Sequence, residues 1–259
     1  MNLLNLCNVI QNPTYYVVDI GASTGVNTDP VFQFIVNKKF KGLCIEGNPQ
    51  FARVLKTKTH FDIFNGYITP LNAINVFEHY NVPHDLDILK IDIDGYDLEV
   101  LRCILKKYKP KIIISEINEK IPPPVCFEIK YKDNYAWDQS HCFGYSIQAG
   151  SKVMNYNNYK ILSIYELNNI LCINDELCKS LQIECFNSDE YIKNLYKKEY
   201  IDDLSRLQIL PWNKNIDHWL NIEDIELLKK TIADYFTLNN DRSKFEIKTK
   251  IQDVDFVLD

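Results

Sequence analysis

The sequence lacks several features that would narrow its function at once. None of its eight cysteines (Cys7, Cys44, Cys103, Cys126, Cys142, Cys172, Cys178 and Cys185) forms a C-x-x-C pair, which removes the usual signature of a zinc ribbon or a dithiol redox couple. Most of them lie among apolar neighbours, as in Leu43-Cys44-Ile45 and Leu171-Cys172-Ile173, and read as buried free thiols in a reducing compartment. No apolar run is long enough to cross a bilayer, and the start MNLLNLCNVIQN has neither a basic region nor a small-residue cleavage site, so a soluble cytoplasmic protein is expected. Positive charge is in deficit: 29 Lys and Arg stand against 35 Asp and Glu, a formal net charge of −6. A surface built to hold phosphate backbones is disfavoured, although a local basic groove is compatible with such a total. Glycine numbers only eight, and G-x-G-x-x-G is absent.

What is present starts at Tyr16–Asn27, YVVDIGASTGVN. The β-branched run Val17-Val18-Asp19-Ile20 reads as a buried strand that breaks at a small-residue turn, Gly21-Ala22-Ser23-Thr24-Gly25. Such a turn is expected to aim backbone N–H groups at a ligand over the carboxyl end of the strand. Ser23 and Val26 stand where a dinucleotide site would carry its second and third glycines, so that reading is weak. Asp29-Pro30 reads as the start of a helix to Asn37, with Asp29 as N-cap. Lys41–Glu46 is a second strand, and its terminal Glu46, followed by Gly47 and Asn48, lies about twenty residues beyond the turn, where an acid binds ribose hydroxyls. A helix-capping acid is the bland alternative for Glu46. Helices over 48–56 and 72–80 flank a short third strand, Phe61–Phe64, with Asn65 at its carboxyl end.

Leu86–Val100, LDILKIDIDGYDLEV, alternates as a strand to Asp92 and turns at Asp94-Gly95 into a helix from Tyr96 to Tyr108. Lys111–Ile117 is a fifth buried strand, ended by Glu116 and Asn118. Strands alternating with helices predict a doubly wound, Rossmann-like parallel sheet, which brings Asp19, Glu46, Asn65, Asp92 and Glu116 to one edge. Residues 118–144 read as a long loop with aromatic and polar character. A helix over 145–156 and a hairpin, 159–165 with 170–173, complete seven strands. With 46% hydrophobic residues in 259, one substantial core over 1–187 is expected. A mostly helical extension, 188–259, follows as a structural appendage, lid or oligomer contact; Pro211-Trp212 and Asn239-Asn240 break it, and Phe245–Ile251 alternates like a strand.

VVDIGASTGVN, KGLCIEGNP, DILKIDIDGYDLEVL and IIISEIN together resemble the FkbM-type S-adenosylmethionine (SAM) dependent methyltransferases over residues 15 to about 175. The resemblance implies SAM contacts from Asp19, Gly21, Ala22, Ser23, Thr24 and Gly25, from Glu46, Gly47 and Asn48, from Asn65 and from Asp92. The Ser23-Thr24 pair departs from the family's usual residues. Asp92, Asp94, Glu116 and Asn118 offer hard oxygen ligands suited to Mg²⁺, and sugar methyltransferases with related sheets carry Mg²⁺ at a similar edge; a simple turn is the bland alternative. His141 is the candidate base, with Lys90 and Asp92 beside it as further catalytic candidates, because His titrates near neutrality. Tyr135, Trp137 and Asp138 are the candidate acceptor contacts. The expected activity is methyl transfer to a hydroxyl of a saccharide or glycan. An RNA 2′-O-methyltransferase and a non-catalytic SAM- or nucleotide-binding module are the alternatives; the first would want a basic face, and the second has no use for the acids after strands four and five.

Overall fold

In the computed structural model, which describes residues 3–26, 29–165, 168–200, 220–221, 223–239 and 245–248, the apolar runs assemble as a single twisted sheet. Strands β1 (Tyr16–Ile20), β2 (Lys41–Glu46), β3 (Asp62–Asn65), β4 (Ile88–Ile91) and β5 (Ile112–Glu116) are parallel, and after a separate β6 (Cys126–Ile129) the hairpin β7 (Tyr159–Tyr165) and β8 (Asn169–Asn174) joins β5 antiparallel. The order is β3-β2-β1-β4-β5-β8-β7. Strand order reverses between β1 and β4, so a crevice opens there at the carboxyl edge.

Nine helices lie among the described residues: α1 (Leu3–Asn8), α2 (Phe32–Ile35), α3 (Pro49–Leu55), α4 (Ala73–His79), α5 (Asp97–Leu105), α6 (Ile147–Tyr156), α7 (Asp175–Ser180), α8 (Asp189–Tyr200) and α9 (Ile225–Asn239). Both sheet faces are covered, as parallel strands require. Val18, Ile20, Leu43, Ile45, Leu89 and Ile91 pack with Phe77, Leu101 and Val153 on one face. Val17, Cys44, Ile88, Ile112 and Ile114 pack with Leu3, Leu6, Phe34 and Leu177 on the other. Beyond residue 188, Ile192, Tyr196 and Phe236 enter the first of these cores, and Tyr196 Oη donates to Glu119 O across it.

Two expectations need correction. The helix expected over 29–37 shrinks to α2, with Val31 as its N-cap, while Asp29 before it accepts from Val31 N with one oxygen and faces buried Lys90 with the other. The loop expected over 118–144 contains β6, which pairs antiparallel with β9 (Phe245–Lys248). A four-residue strand whose partner lies more than a hundred residues away leaves little periodic signal in sequence. The strand expected at 245–251 is seen over 245–248, while Asn27, Glu166, Leu167, Pro211, Trp212 and 249–251 lie outside the described residues.

The amino ends of β1, β4 and β5 are clamped by Asp87, which accepts from Thr14 N at 3.0 Å, Tyr15 N at 2.7 Å and Lys111 Nζ at 2.8 Å. Asp87 and Lys111 are both buried. Breaking such a pair strands a buried charge, so Asp87→Ala should lower stability by about 3–5 kcal/mol in urea unfolding. An unchanged midpoint would show that the clamp does not hold the strands.

Candidate active site

Residues one apart in a strand face opposite sides, so the register of β1 on β4 decides what meets at the crevice. Asp19 is the direct neighbour of Lys90. Lys90 Nζ lies 3.4 Å from Asp19, 3.2 Å from Asp29 and 3.6 Å from Asp92, and donates to Gly21 O at 3.1 Å. Its side chain is 2% exposed. Burial opposes its charge, but Asp19, Asp92 and Asp29 outweigh that and hold its pKa well above the ordinary lysine value. Asp19 is wholly buried with neither carboxylate oxygen hydrogen-bonded in good geometry. Burial pushes its pKa up to about 7, against the pull of Lys90 and with the charge of Asp29 adding to it. Lys90, a catalytic candidate by sequence, is thus a buried counter-ion at the base of the site. Asp29 was missed because Asp-Pro reads as a helix start.

The glycine turn departs from its expected behaviour. Gly21 N and Ala22 N both donate to Ile45 O, at 2.9 and 3.1 Å, Ser23 N donates to Glu46 Oε2 at 2.7 Å and Gly25 N to Ala22 O at 3.1 Å. Four amides are spent inside the chain, so they do not form a phosphate cradle. Gly21 is required by its own neighbour: with φ +78°, an added Cβ would lie 1.7 Å from Asp92 O. Glu46 accepts from Ser23 N through one oxygen and from Asn48 N, at 2.7 Å, through the other. Each oxygen keeps a second lone pair for a ligand hydroxyl. Asn48 Oδ1 caps α3, Asn65 Nδ2 donates to Glu46 O, and the exposed ring of Tyr67 lies over Gly47. Ala22 is buried, and Ser23 and Thr24 are half-buried.

At the other side of the crevice, Asp92, Asp94 and Glu116 each bring one oxygen within 4.8 Å of the others. Glu116 Oε1 accepts from Asn168 Nδ2 at 2.8 Å, and Oε2 is buried without a partner. Burial, then the charges of Asp92, Asp97 and Asp94, push the Glu116 pKa well above the carboxylate range; burial and then Asp92 raise that of Asp94. Carboxylates so placed need a proton or a cation between them. The turn is formed by Asp97, missed in sequence, which is buried and accepts from Ile93 N at 2.8 Å and Gly95 N at 2.9 Å. Asn118 is held by the loop that follows β5. Its Nδ2 donates to His141 O at 2.8 Å and Phe143 O at 3.0 Å, and its Oδ1 accepts from Lys120 N at 3.2 Å, so the side chain is used to tie down the loop.

That loop is fastened to α5. Tyr131 N donates to Glu99 Oε2 at 2.8 Å, and the Tyr131 and Tyr135 rings meet Tyr96 edge-on at 5.0 and 5.7 Å. Tyr135 lies against Gly95, with its hydroxyl 3.4 Å from Asp94 O. Trp137 Nε1 donates to Ser140 O at 2.9 Å, its ring meets Phe143, and Asp138 Oδ1 accepts from Ser140 N at 3.1 Å. His141 is half-buried; burial first, and Lys120 next, lower its pKa below 6.5. Tyr135 thus reaches the acid turn, while Trp137 and Asp138 both bond to Ser140, inside the loop itself.

Five parallel strands, an antiparallel final pair and an acid-lined crevice beside a glycine turn define the class, a Rossmann-like methyltransferase fold. Residues 67–139, from just beyond β3 into the loop over 118–144, match the model of the methyltransferase FkbM domain. No curated protein matches significantly. Similar solved structures include an O-methyltransferase from Bacillus cereus in complex with SAH (12% identity, 62% of this chain and 74% of that one, TM-score 0.40). A putative O-methyltransferase from Klebsiella pneumoniae is also similar (13%, 62% and 73%, 0.39). A third is a SAM-dependent methyltransferase from Geobacter sulfurreducens in complex with S-adenosyl-L-homocysteine (10%, 95% and 87%, 0.36). No helix among the described residues is long and apolar enough to cross a membrane.

A carboxyl whose folded pKa is raised to about 7 from an unfolded value near 3.9 holds extra protons in the native state between those limits. Its contribution therefore weakens the fold as pH rises through that window. The stability of wild type relative to Asp19→Asn, followed by urea unfolding, should fall from about pH 4 to about pH 7. A flat or rising difference would contradict the assigned protonation.

Proposed function

We propose that this enzyme transfers the SAM methyl group to a hydroxyl of a saccharide or glycan acceptor, assisted by a divalent cation of the Mg²⁺ type. The observation that carries the acceptor reading is the loop over 131–141. It closes on the acid turn through Tyr135 and carries Tyr131 and Trp137 among Asp133, Asn134, Asp138 and Gln139. Flat aromatic faces edged by short polar groups suit the apolar ring faces and hydroxyl rims of a sugar. An RNA acceptor is poorly supported, since Lys90 is enclosed by carboxylates and has no open path to a phosphate.

The residues fit the cofactor. Asp19 has buried, unbonded carboxylate oxygens, Glu46 has lone pairs for ribose hydroxyls, and the internally bonded amides of the glycine turn disfavour a phosphate ligand while the acidic lining favours a cationic one. When bound, SAM supplies an electrophilic methyl on a sulfonium. Asp92, Asp94 and Glu116 would hold the cation, whose chemistry is to make a coordinated hydroxyl more acidic. The chain's remaining task is to align the acceptor oxygen and remove one proton. His141 takes that proton in this reading, and its lowered pKa keeps the ring neutral at pH 7.

A panel of glycosides, RNA and peptides with radiolabelled SAM tests the acceptor; fastest transfer to RNA or peptide would overturn the saccharide. Trp137→Ala should raise KM for the glycoside with little change in SAM affinity, and His141→Ala should lower kcat by on the order of 10²-fold. For wild type, kcat should fall as the pH drops through the lowered pKa of the imidazole. Unchanged kcat in the His141 variant removes it from the mechanism. Full turnover in EDTA would dispose of the cation, whereas Glu116→Gln should abolish any Mg²⁺ dependence along with most activity.

A further inference from the structure

We propose that Asp29 makes the pocket select the cationic cofactor over its demethylated product, acting through Lys90 as a positioning residue. The inference rests on the SAM assignment above. Methyl transfer removes the sulfonium charge: SAM carries a sulfonium, an ammonium and a carboxylate, whereas S-adenosylhomocysteine keeps only the last two. A pocket with a surplus of fixed negative charge therefore binds the substrate form more tightly than the product form, and the difference reports the local field.

The field at the glycine turn is set by one buried ammonium and what surrounds it. Lys90 Nζ donates to Gly21 O, in the turn expected to lie along the cofactor. Left unscreened, that ammonium would repel a sulfonium. Asp29 supplies its nearest carboxylate, at 3.2 Å, closer than Asp19 at 3.4 Å or Asp92 at 3.6 Å. Asp29 reaches in from outside the sheet, since it lies on the approach to α2, whereas the other two sit on β1 and just after β4. Its second oxygen is fixed by Val31 N at 2.8 Å, and its side chain is 7% exposed. Asp29 therefore has a set position and little competing water. Three carboxylates around one ammonium leave a net negative group, and Asp29 is the member that neither borders the candidate cation site nor belongs to the sheet.

Calorimetric titration of SAM and of S-adenosylhomocysteine into wild type, Asp29→Asn, Asp29→Ser and Asp29→Glu tests this. Loss of one carboxylate should weaken SAM binding by about 10-fold and S-adenosylhomocysteine binding by about 3-fold or less, as expected for a unit charge acting at moderate effective dielectric. Asp29→Glu, which keeps the charge, should keep the wild-type affinity ratio even where both affinities fall. Circular dichroism confirms folding, and Asp29→Ser gives the same reading if Asp29→Asn does not fold. Equal losses for the two ligands, no loss for either, or a ratio lost in Asp29→Glu as in Asp29→Asn would overturn the proposal. If wild type binds neither ligand, the cofactor reading itself fails, and that result is distinct from an unchanged ratio.

Discussion

The constraint on which the active edge depends is the burial of one ammonium group. Taking a lysine out of water costs several kcal/mol unless its charge is matched and its donors are used. Lys90 meets that demand with three carboxylates and one carbonyl drawn from four places: β1, the glycine turn, the approach to α2 and the residue after β4. Each of these pieces is thereby held relative to the others. The register that sets Asp19 beside Lys90 also sets Ile20 beside Ile91, so the same pairing that fills the core fixes the crevice. Gly21 completes the arrangement, because only a residue without Cβ can turn against Asp92 O at that point.

The chemical consequence is a site of the opposite sign to a phosphate cradle. Nucleotide phosphates are held where free N–H groups and helix N-termini converge. Here the amides of Gly21, Ala22, Ser23 and Gly25 are spent on Ile45, Glu46 and Ala22, and the groups facing the crevice are carboxylates. The missing glycines at Ser23 and Val26 and the missing amides are two aspects of one design. A small net charge of −6 over the whole chain understates how acidic this edge is.

The parallel strands were legible in sequence because strands buried on both faces read as continuous apolar runs, and the acids that end them must converge on one edge. Lys41–Glu46 coincides with β2, and Ala73–His79 lies within the helix expected over 72–80. What escaped depended on distant partners. Asp29 reads only as a cap until Lys90, sixty-one positions on, takes its other oxygen, and β6 looks like loop until β9 pairs with it. Asn118 carries the right atom type for a cation site, but only the fold reveals that its amide also ties down the loop through His141 O, Phe143 O and Lys120 N.

The strand side and the loop side of the crevice meet in one short turn. Asp92 faces Lys90, Asp94 and Glu116, Asp97 ties down Ile93 and Gly95, and Tyr135 rests on Gly95 from the loop above. The turn is strained, with Asp94 at φ +56°, and such a conformation persists when its surroundings over-determine it. Asp97 does so with both oxygens, even though burial pushes its pKa up to about 7. The same few residues join the floor of the crevice to the loop over 131–141, and on the proposed reading that junction would align a methyl acceptor with the cofactor. For a reaction whose rate depends on in-line alignment more than on covalent help, that is where the fold contributes most.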